Sequence, residues 1–489
     1  FKQKTAYEIM PSLVGSEMCI RDRIIKDVIF LISIFVIVSF FMDIYYINKI
    51  SDYKPNKELE KYPNVLFIVL DTVRADHLSV YNYSRKTTPN IDELAKNSVV
   101  FDNAISQSSW TLPSHSSMFT GKYPSRHNAV LRHQKLSKEE VTLAEILRAK
   151  GYNTAGFIGG AYCKAKYGIG QGFLTYKDRL DFFEHEHTFD TFSIRKVISF
   201  IFPRFNKAIL RADGERSSEE VNKDVFRWLE KNKDNQPFFI FINYIDAHDP
   251  YTWGAKFKGR FTNETKPYSE VEALMRLADG KPKNISKKKL QYMVDLYDRE
   301  ILFLDSNVGK LLDKIRDLGI INNTLIIILA DHGEEFFDHY GFKHTRTLYE
   351  ELIHVPLIVY YPKEFKPHRV NERVGIINIF STILDILGLD IPDGVDSKSL
   401  VPFLKNQKLY SSGYVFSELI GRTYLNEPVQ KSISYKNWKL IEVNPEKETL
   451  KSSLFNLKTD PKEHNNLYNK YRKIRNTLKE RIVEITNTT

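Results

Sequence analysis

Cysteine is nearly absent from this chain of 489 residues: Cys19 and Cys163 are the two present. Two cysteines cannot build a disulfide framework, and neither lies in a Cys-x-x-Cys, so a thiolate metal site is excluded as well. A stripe of Lys and Arg interleaved with aromatic residues is also missing. The net charge of +10 therefore gives no indication of a nucleic-acid partner. It reads as a Lys-rich solvated surface near an anionic membrane. No internal repeat occurs, and the one polar tract, the Lys-rich segment 48–61, reads as a linker. Long apolar runs are scarce too. The most extended, VIFLISIFVIVSFFM at 28–42, stops at Asp43. Carried on through Ile44–Ile47 it reaches the about 20 residues that span a bilayer. Tyr45 and Tyr46 would then sit at the interface. The expectation is a single-pass membrane anchor over 24–47, with the rest of the chain outside the cytoplasm. The chain begins at Phe1 without an initiator Met, and EIMPSLVGSEMCIRDR at 8–23 resembles translated sequencing-adapter read-through. Residues 1–23 are accordingly set aside as an artefact or disordered leader.

What is present points to a mixed fold. The hydrophobic fraction of 42% can fill a sizeable core. NVLFIVLD (64–71), PFFIFINYID (237–246), NTLIIILAD (323–331) and VPLIVYYP (355–362) are continuous apolar runs, the pattern of strands buried on both faces. Between them lie helical patterns, such as TLAEILRAKG (142–151), with Gly151 as a C-cap, and the segment 294–319. The alternation predicts an α/β fold over 62–410, a largely parallel central sheet with helices on both faces. A connecting helix is expected over 376–388. From 411 short alternating strands, such as KSISYKNWKLIEV (431–443), precede a charged helix at 468–486. They predict a small C-terminal α+β subdomain over 411–489.

Ligands of such sheets bind outside the carboxyl ends of the strands. Asp71, Asp246 and Asp331 each stand where an apolar run stops. In SSWTLPSHSSMFTG (108–121), Pro113 suits a first helical turn, which puts Thr111 at or just before the N-cap. Free backbone N–H groups and the positive end of the helix dipole favour a tetrahedral anion there. Taken alone, the same pattern is a plain Thr N-cap. ADHGEE (330–335) sets Asp331 beside His332, both good ligands for zinc or manganese. His248 follows a strand in YIDAHDPY, and His344 lies in GFKHTRTLYEELIHVPLIV.

Four segments, in order, resemble the sulfatase family of the alkaline phosphatase superfamily. They are LDTVRADHLSVYNYSRKTTPNIDELA (70–95), WTLPSHSSMFTGKYPSRH (110–127), ADHGEEF followed by LYEELIHVPLIVYYP, and SLFNLKTDPKEHNNL (453–467). The resemblance implies an alkaline-phosphatase-like fold, Thr111 as nucleophile, and one divalent metal ion (Mn, Zn or Ca) at Asp71, Thr111, Asp331 and His332. It implies that His248 and His344 face the transferred group or hold a second metal. It also implies that Lys122 and His127 line the substrate site.

Three departures bear on the chemistry. Sulfatases convert Cys or Ser to formylglycine; Thr111 carries a β-methyl group and cannot give that aldehyde. Thr72 stands where many sulfatases have a further metal-binding Asp, so that Asp, Thr, Asp and His resemble the single-metal site of lipoteichoic-acid synthases and phosphoethanolamine transferases, which are membrane-anchored. The Lys-x-His pair of many arylsulfatases is missing from 156–173. These departures favour a phosphodiesterase or phosphotransferase acting on a membrane lipid or surface polymer. The alternatives are a sulfuric ester hydrolase and a non-catalytic surface protein that binds an anionic glycan.

Overall fold

The computed structural model describes residue 59 and residues 61–487, apart from 179–214, 235–236, 263, 265, 267, 281–284, 340, 408–412, 422–427 and 445–449. The segment 24–47 lies outside these. Among the described residues no helix is long and apolar enough to cross a membrane. That finding overturns the single-pass membrane placement expected from the sequence. The physical weakness of that expectation is Asp43, which cuts the apolar run short of the about 20 residues a span requires.

Ten strands are β1 (Asn64–Leu70), β2 (Val99–Ile105), β3 (Asn153–Ile158), β4 (Thr175–Lys177), β5 (Phe238–Tyr244), β6 (Thr324–Leu329), β7 (Glu335–Phe336), β8 (Phe342–Lys343), β9 (His354–Tyr360) and β10 (His368–Gly375). Eight of them form one sheet in the order β10-β2-β9-β6-β1-β5-β3-β4. The members of β1, β5 and β6 are all buried, as continuous β-branched and aromatic runs require. All neighbours are parallel except β9, which runs antiparallel to both β2 and β6. The connection from β6 to β9 holds the small β7-β8 ladder and the short helix Glu350–Ile353. It supplies no long crossover helix, so the chain re-enters the sheet from the end at which β6 left it.

Helices cover both faces, and the alternation of β5 shows why. Phe241 packs on Phe67 and on Phe119 of the helix Thr111–Thr120. Phe238, on the opposite side of the pleat, packs on Trp228 of the helix Ser218–Asn232. The predicted helix at 142–151 forms as Leu143–Lys150, with a Thr142/Glu145 capping box and Gly151 at φ 103. The helix expected at 294–319 begins earlier, at Lys287, because Ser286 caps it by accepting from Lys289 N.

The four C-terminal strands, β11 (Val415–Leu419), β12 (Val429–Tyr435), β13 (Trp438–Asn444) and β14 (Ser453–Asn456), form an antiparallel sheet in chain order. The helix Arg472–Asn487 buries Leu478 and Ile482 against Phe416, Ile433, Leu440 and Leu454. Strand β11 also reaches the main domain. Glu418 N donates to Gln107 O at 2.8 Å and Ser417 Oγ to Ser106 O at 2.6 Å. These bonds fix the segment that leads into Thr111.

Candidate active site

Strands β6, β1 and β5 lie side by side, with Val69 opposite Leu329 and Leu70 opposite Tyr244. Their carboxyl ends therefore deliver Asp331, Asp71 and the loop carrying His248 to one edge of the sheet. Thr111 comes from the other direction. It is the first residue of the helix Thr111–Thr120, whose ten residues are all buried, and Trp110 holds the N-cap position without a side-chain capping bond. Thr111 is thus no capping residue: its hydroxyl is spare. Ser114, one turn on, donates to Asp331 O at 2.8 Å and ties this helix to the end of β6.

Asp71, Asp331 and His332 are fully buried, and their ligand atoms lie within 4.8 Å of one another. His332 Nε2 stands 3.8 Å from Asp71 Oδ1 and 3.4 Å from Asp331 Oδ2. Thr111 Oγ1 is 3.3 Å from the same nitrogen. His332 Nδ1 sits 2.9 Å from Gly333 O. A carbonyl only accepts, so Nδ1 carries the proton and Nε2 presents a lone pair. Thr72, a β-branched residue at φ 61, turns its N–H onto Asp331 Oδ1 at 3.2 Å. Asn243 Nδ2 donates to Asp71 Oδ2 at 3.3 Å. The remaining oxygens, Asp71 Oδ1 and Asp331 Oδ2, have no hydrogen-bond partner. His115 Nδ1 lies 3.5 Å from Asp331 Oδ2, but it spends its proton on Thr111 O at 2.9 Å.

Electrostatics sharpen the point. Burial, and then the charge of Asp331, pushes the Asp71 carboxyl up to about 7. Burial likewise pushes Asp331 up to about 7. Burial, and then His344, holds His332 down at about 3. Two orphaned buried carboxylate oxygens facing a neutral imidazole are costly without a counter-charge. These donors fit a divalent ion of the zinc or manganese type, with Thr111 Oγ1 beside them as a further oxygen.

Two more histidines complete the cluster. The His344 ring lies 4.5 Å from that of His332 and 5.1 Å from that of His248, centroid to centroid. His344 Nδ1 pairs with Glu334 Oε1 at 2.9 Å. Around His248, burial opposes the imidazolium, but Asp249, Glu215 and Asp71 outweigh it and lift the pKa to about 10. His248 is therefore a fixed cation beside a neutral His344, which burial and then His248 hold down at about 3.

Of the residues singled out from the sequence, Asp71, Thr111, Asp331, His332, His248 and His344 come together. The contacts of Lys122 and His127 run elsewhere. Lys122 Nζ donates to Glu140 at 2.7 Å. His127 is buried against Ser117 Oγ, 3.1 Å from Nε2, and accepts from Ala129 N at 3.1 Å. Lys122 follows the far end of the helix Thr111–Thr120, which at about 1.5 Å per residue lies roughly 15 Å along its axis from Thr111, whereas His127 folds back along the helix toward Ser117. Sequence reasoning passed over His115, Asn243 and Glu334. His115 stands at i+4 from Thr111, on the same helix face, and that spacing was a usable signal.

The comparisons agree with this geometry. The sulfatase family model matches residues 63–389, and the model described as N-sulphoglucosamine sulphohydrolase, C-terminal, matches 338–488. An ulvan-active sulfatase of Formosa agariphila is 27% identical over 70% of this chain, which spans 65% of that protein's length. An N-acetylglucosamine-6-O-sulfatase of Bacteroides thetaiotaomicron is 23% identical over 85% of this chain and 84% of its own. The solved phosphonate monoester hydrolase of Agrobacterium radiobacter superposes with a TM-score of 0.68 at 20% identity, covering 87% of this chain and 96% of that one. On the matched family model and the shared fold, the chain belongs to the sulfatase family of ester-hydrolysing enzymes.

Proposed function

We propose that this chain hydrolyses the sulfate ester of a saccharide by direct displacement at Thr111, with the metal group and the histidine pair as its machinery. The observation that carries the reading is Thr111 Oγ1, 3.3 Å from His332 Nε2 at the mouth of the Asp71–Asp331–His332 group. The choice of sulfate rests on the two named relatives, both sulfatases and one of them named for N-acetylglucosamine. That departs from the phosphodiesterase or phosphotransferase favoured on residue chemistry alone.

A divalent ion held by Asp71, Asp331 and His332 would stabilise the Thr111 alkoxide and the oxygens of the ester. The chain supplies the rest. The free N–H groups at the start of the helix Thr111–Thr120 face developing negative charge. His248, held as a cation, binds the anionic group. Thr111 Oγ1 attacks sulfur in line, the bond to the leaving oxygen breaks, and a covalent Thr111 ester forms. Its β-methyl group stands where a formylglycine hydrate has a second hydroxyl, so water must open this ester by attack at sulfur.

The same Thr111 supports a second reading, in which the substrate is a phosphodiester or phosphonate monoester, because direct attack of water on an ester is ordinary at phosphorus. An aryl sulfate and an aryl phosphodiester offered side by side separate the two. Thr111→Ala should abolish whichever turnover exists; full activity on both would remove Thr111 from the mechanism.

A further inference from the structure

A cation-rich aromatic face on the C-terminal subdomain contributes no residue to the active site. Tyr435 and Trp438 stand directly opposite one another at the tip of the β12-β13 hairpin, so their rings share one side of the sheet. Tyr414 stacks on Tyr435 with ring centroids 4.6 Å apart, and Tyr471 packs on Trp438 at 5.0 Å. Four rings thus form an unbroken row from the start of β11 to the start of the helix Arg472–Asn487. The row is drawn from three separate segments, so no single stretch of sequence displays it. All four rings are partly exposed, Tyr471 to 38%. Cations border the row along its length. Arg481 lies over the Tyr414 ring at 5.3 Å, Lys436 over Tyr435 at 5.4 Å and Lys470 over Tyr471 at 5.6 Å, within reach of cation–π attraction. From Tyr468 to Arg481 six Lys or Arg stand against the single acid Glu480, a surplus of five that is half of the chain's net +10. Lys479 and Arg481 have acidic partners, Glu442 and Glu484. Lys470, Arg472 and Lys473 are exposed and make no ion pair among the described residues. Helix stability does not account for them: Arg472 and Lys473 sit in a first turn that holds no acid, where the helix dipole opposes positive charge.

We infer that this face is a second binding site, for a sulfated polysaccharide, and that it holds the polymer while one of its esters occupies the active site. Such a polymer matches both halves of the surface. Its sulfate groups meet the unpaired cations in charge-assisted hydrogen bonds, and its pyranose rings lay apolar C–H groups along the outer edge of the aromatic row. Other polyanions match one half only. Single-stranded nucleic acid binds by stacking its bases on aromatic side chains, but Tyr414 and Tyr435, and Trp438 and Tyr471, already touch one another and leave no slot for a base. An anionic bilayer takes up a helix that sinks its apolar side into the interface, but this helix has spent Leu478 and Ile482 on the sheet. The inference rests on the saccharide-sulfate reading above and deepens it: a second point of attachment raises the effective concentration of the polymer's esters at the active site without altering the chemistry there.

Heparin, inorganic polyphosphate, single-stranded oligothymidylate and vesicles of phosphatidylserine and phosphatidylcholine, each offered to the full chain over a range of salt, test the assignment. Heparin should bind most tightly of the four. Replacing Lys470, Arg472 and Lys473 together by Ala removes exposed, unpaired side chains, and should weaken heparin binding at least about tenfold at low salt and flatten its salt dependence. Tyr471→Ala should weaken heparin about threefold or more and leave polyphosphate, which has no pyranose rings, unchanged. On 4-nitrophenyl sulfate both variants should keep kcat and KM within about twofold of the parent. Heparin binding unaltered in the triple variant, or tighter binding of the oligonucleotide or the vesicles than of heparin, would overturn the inference. So would a loss in Tyr471→Ala that is equal for heparin and polyphosphate. The two levels fail separately. A parent that binds heparin through this face but turns over no sulfate ester loses the sulfatase reading and keeps the polysaccharide site; a parent that turns over sulfate esters while the triple variant binds heparin as it does loses only the site.

Discussion

Asp71 Oδ1 and Asp331 Oδ2 flank His332 Nε2 at 3.8 and 3.4 Å, and neither oxygen has a hydrogen-bond partner. Two buried carboxylates in such proximity repel one another, and they are brought together at some cost by the strained Thr72 backbone. A bound cation removes that cost. Stripping the protein with EDTA should therefore lower its Tm, and Mn, Zn or Ca should restore it. At a hundredfold excess over Kd the gain is about 2.7 kcal/mol, a shift of several degrees. Asp71→Asn should abolish the response by removing a ligand charge. A Tm indifferent to EDTA and to all three ions would refute the metal assignment.

Thr111 is 5% exposed and its hydroxyl caps nothing. Its chemistry and its packing can therefore be separated. Thr111→Ser keeps the oxygen, and kcat should stay within about tenfold of the parent. Thr111→Val keeps the shape and loses the oxygen, and kcat should fall by at least about a thousandfold. Thermal melts of the two variants should differ little. Comparable activity in Val and Ser would mean that the side chain serves only packing.

Strands β1, β5 and β6 were readable because they are buried on both faces and end in Asp or Asp-His. Strand β10, HRVNERVG, was not: it is the edge of the sheet, and its exposed positions carry the charges that discourage edge pairing. The reversal of β9 was hidden for another reason. A buried strand looks the same in either direction, and only the lack of a crossover helix before it fixes the sense. Within the site, residues adjacent to a strand end could be found. Glu334 stood inside ADHGEE, but its pairing with His344 depends on the register of a two-rung ladder. Lys122 and His127, which the resemblance implies at the substrate site, make their contacts with Glu140 and with Ser117 and Ala129.

Lys122 is joined to Glu140 by a partly exposed ion pair, worth at most about 1 kcal/mol. Lys122→Met should leave kcat and KM within about twofold and lower the Tm only slightly. A tenfold rise in KM would return Lys122 to the substrate site.

Glu300 is buried in the long helix Lys287–Asp317 and accepts from Gly254 N in the loop beyond His248. Burial pushes its carboxyl up to about 8 from 4.5, against the opposing pull of Arg299. Between these values the folded chain holds a proton that the unfolded chain has released. The contribution to stability is complete below pH 4.5 and is lost as the pH rises through about 8. Glu300→Gln has no proton to lose. The difference in Tm, variant minus parent, should grow steadily from pH 5 to pH 8 and then level off, because other titrations cancel between the two. A pH-independent difference would mean that Glu300 is ionised in the folded chain throughout.

Lys439 of β13 is wholly buried between Glu350, at 2.8 Å, and Glu463, at 2.9 Å. Arg373 also pairs with Glu350 at 2.8 Å, and Glu350 N donates to Glu463 Oε2 at 2.6 Å. The network joins the C-terminal sheet to the short helix Glu350–Ile353 that precedes β9. Removing the lysine strands Glu463 in a buried interface, a change that costs about 3–5 kcal/mol. Lys439→Met should therefore lower the Tm steeply. Lys439→Met combined with Glu463→Gln should recover much of that loss, since Arg373 can still neutralise Glu350. The double variant isolates the cause: if it melts no higher than Lys439→Met, the loss comes from packing of the lysine stem and not from the uncompensated charge of Glu463.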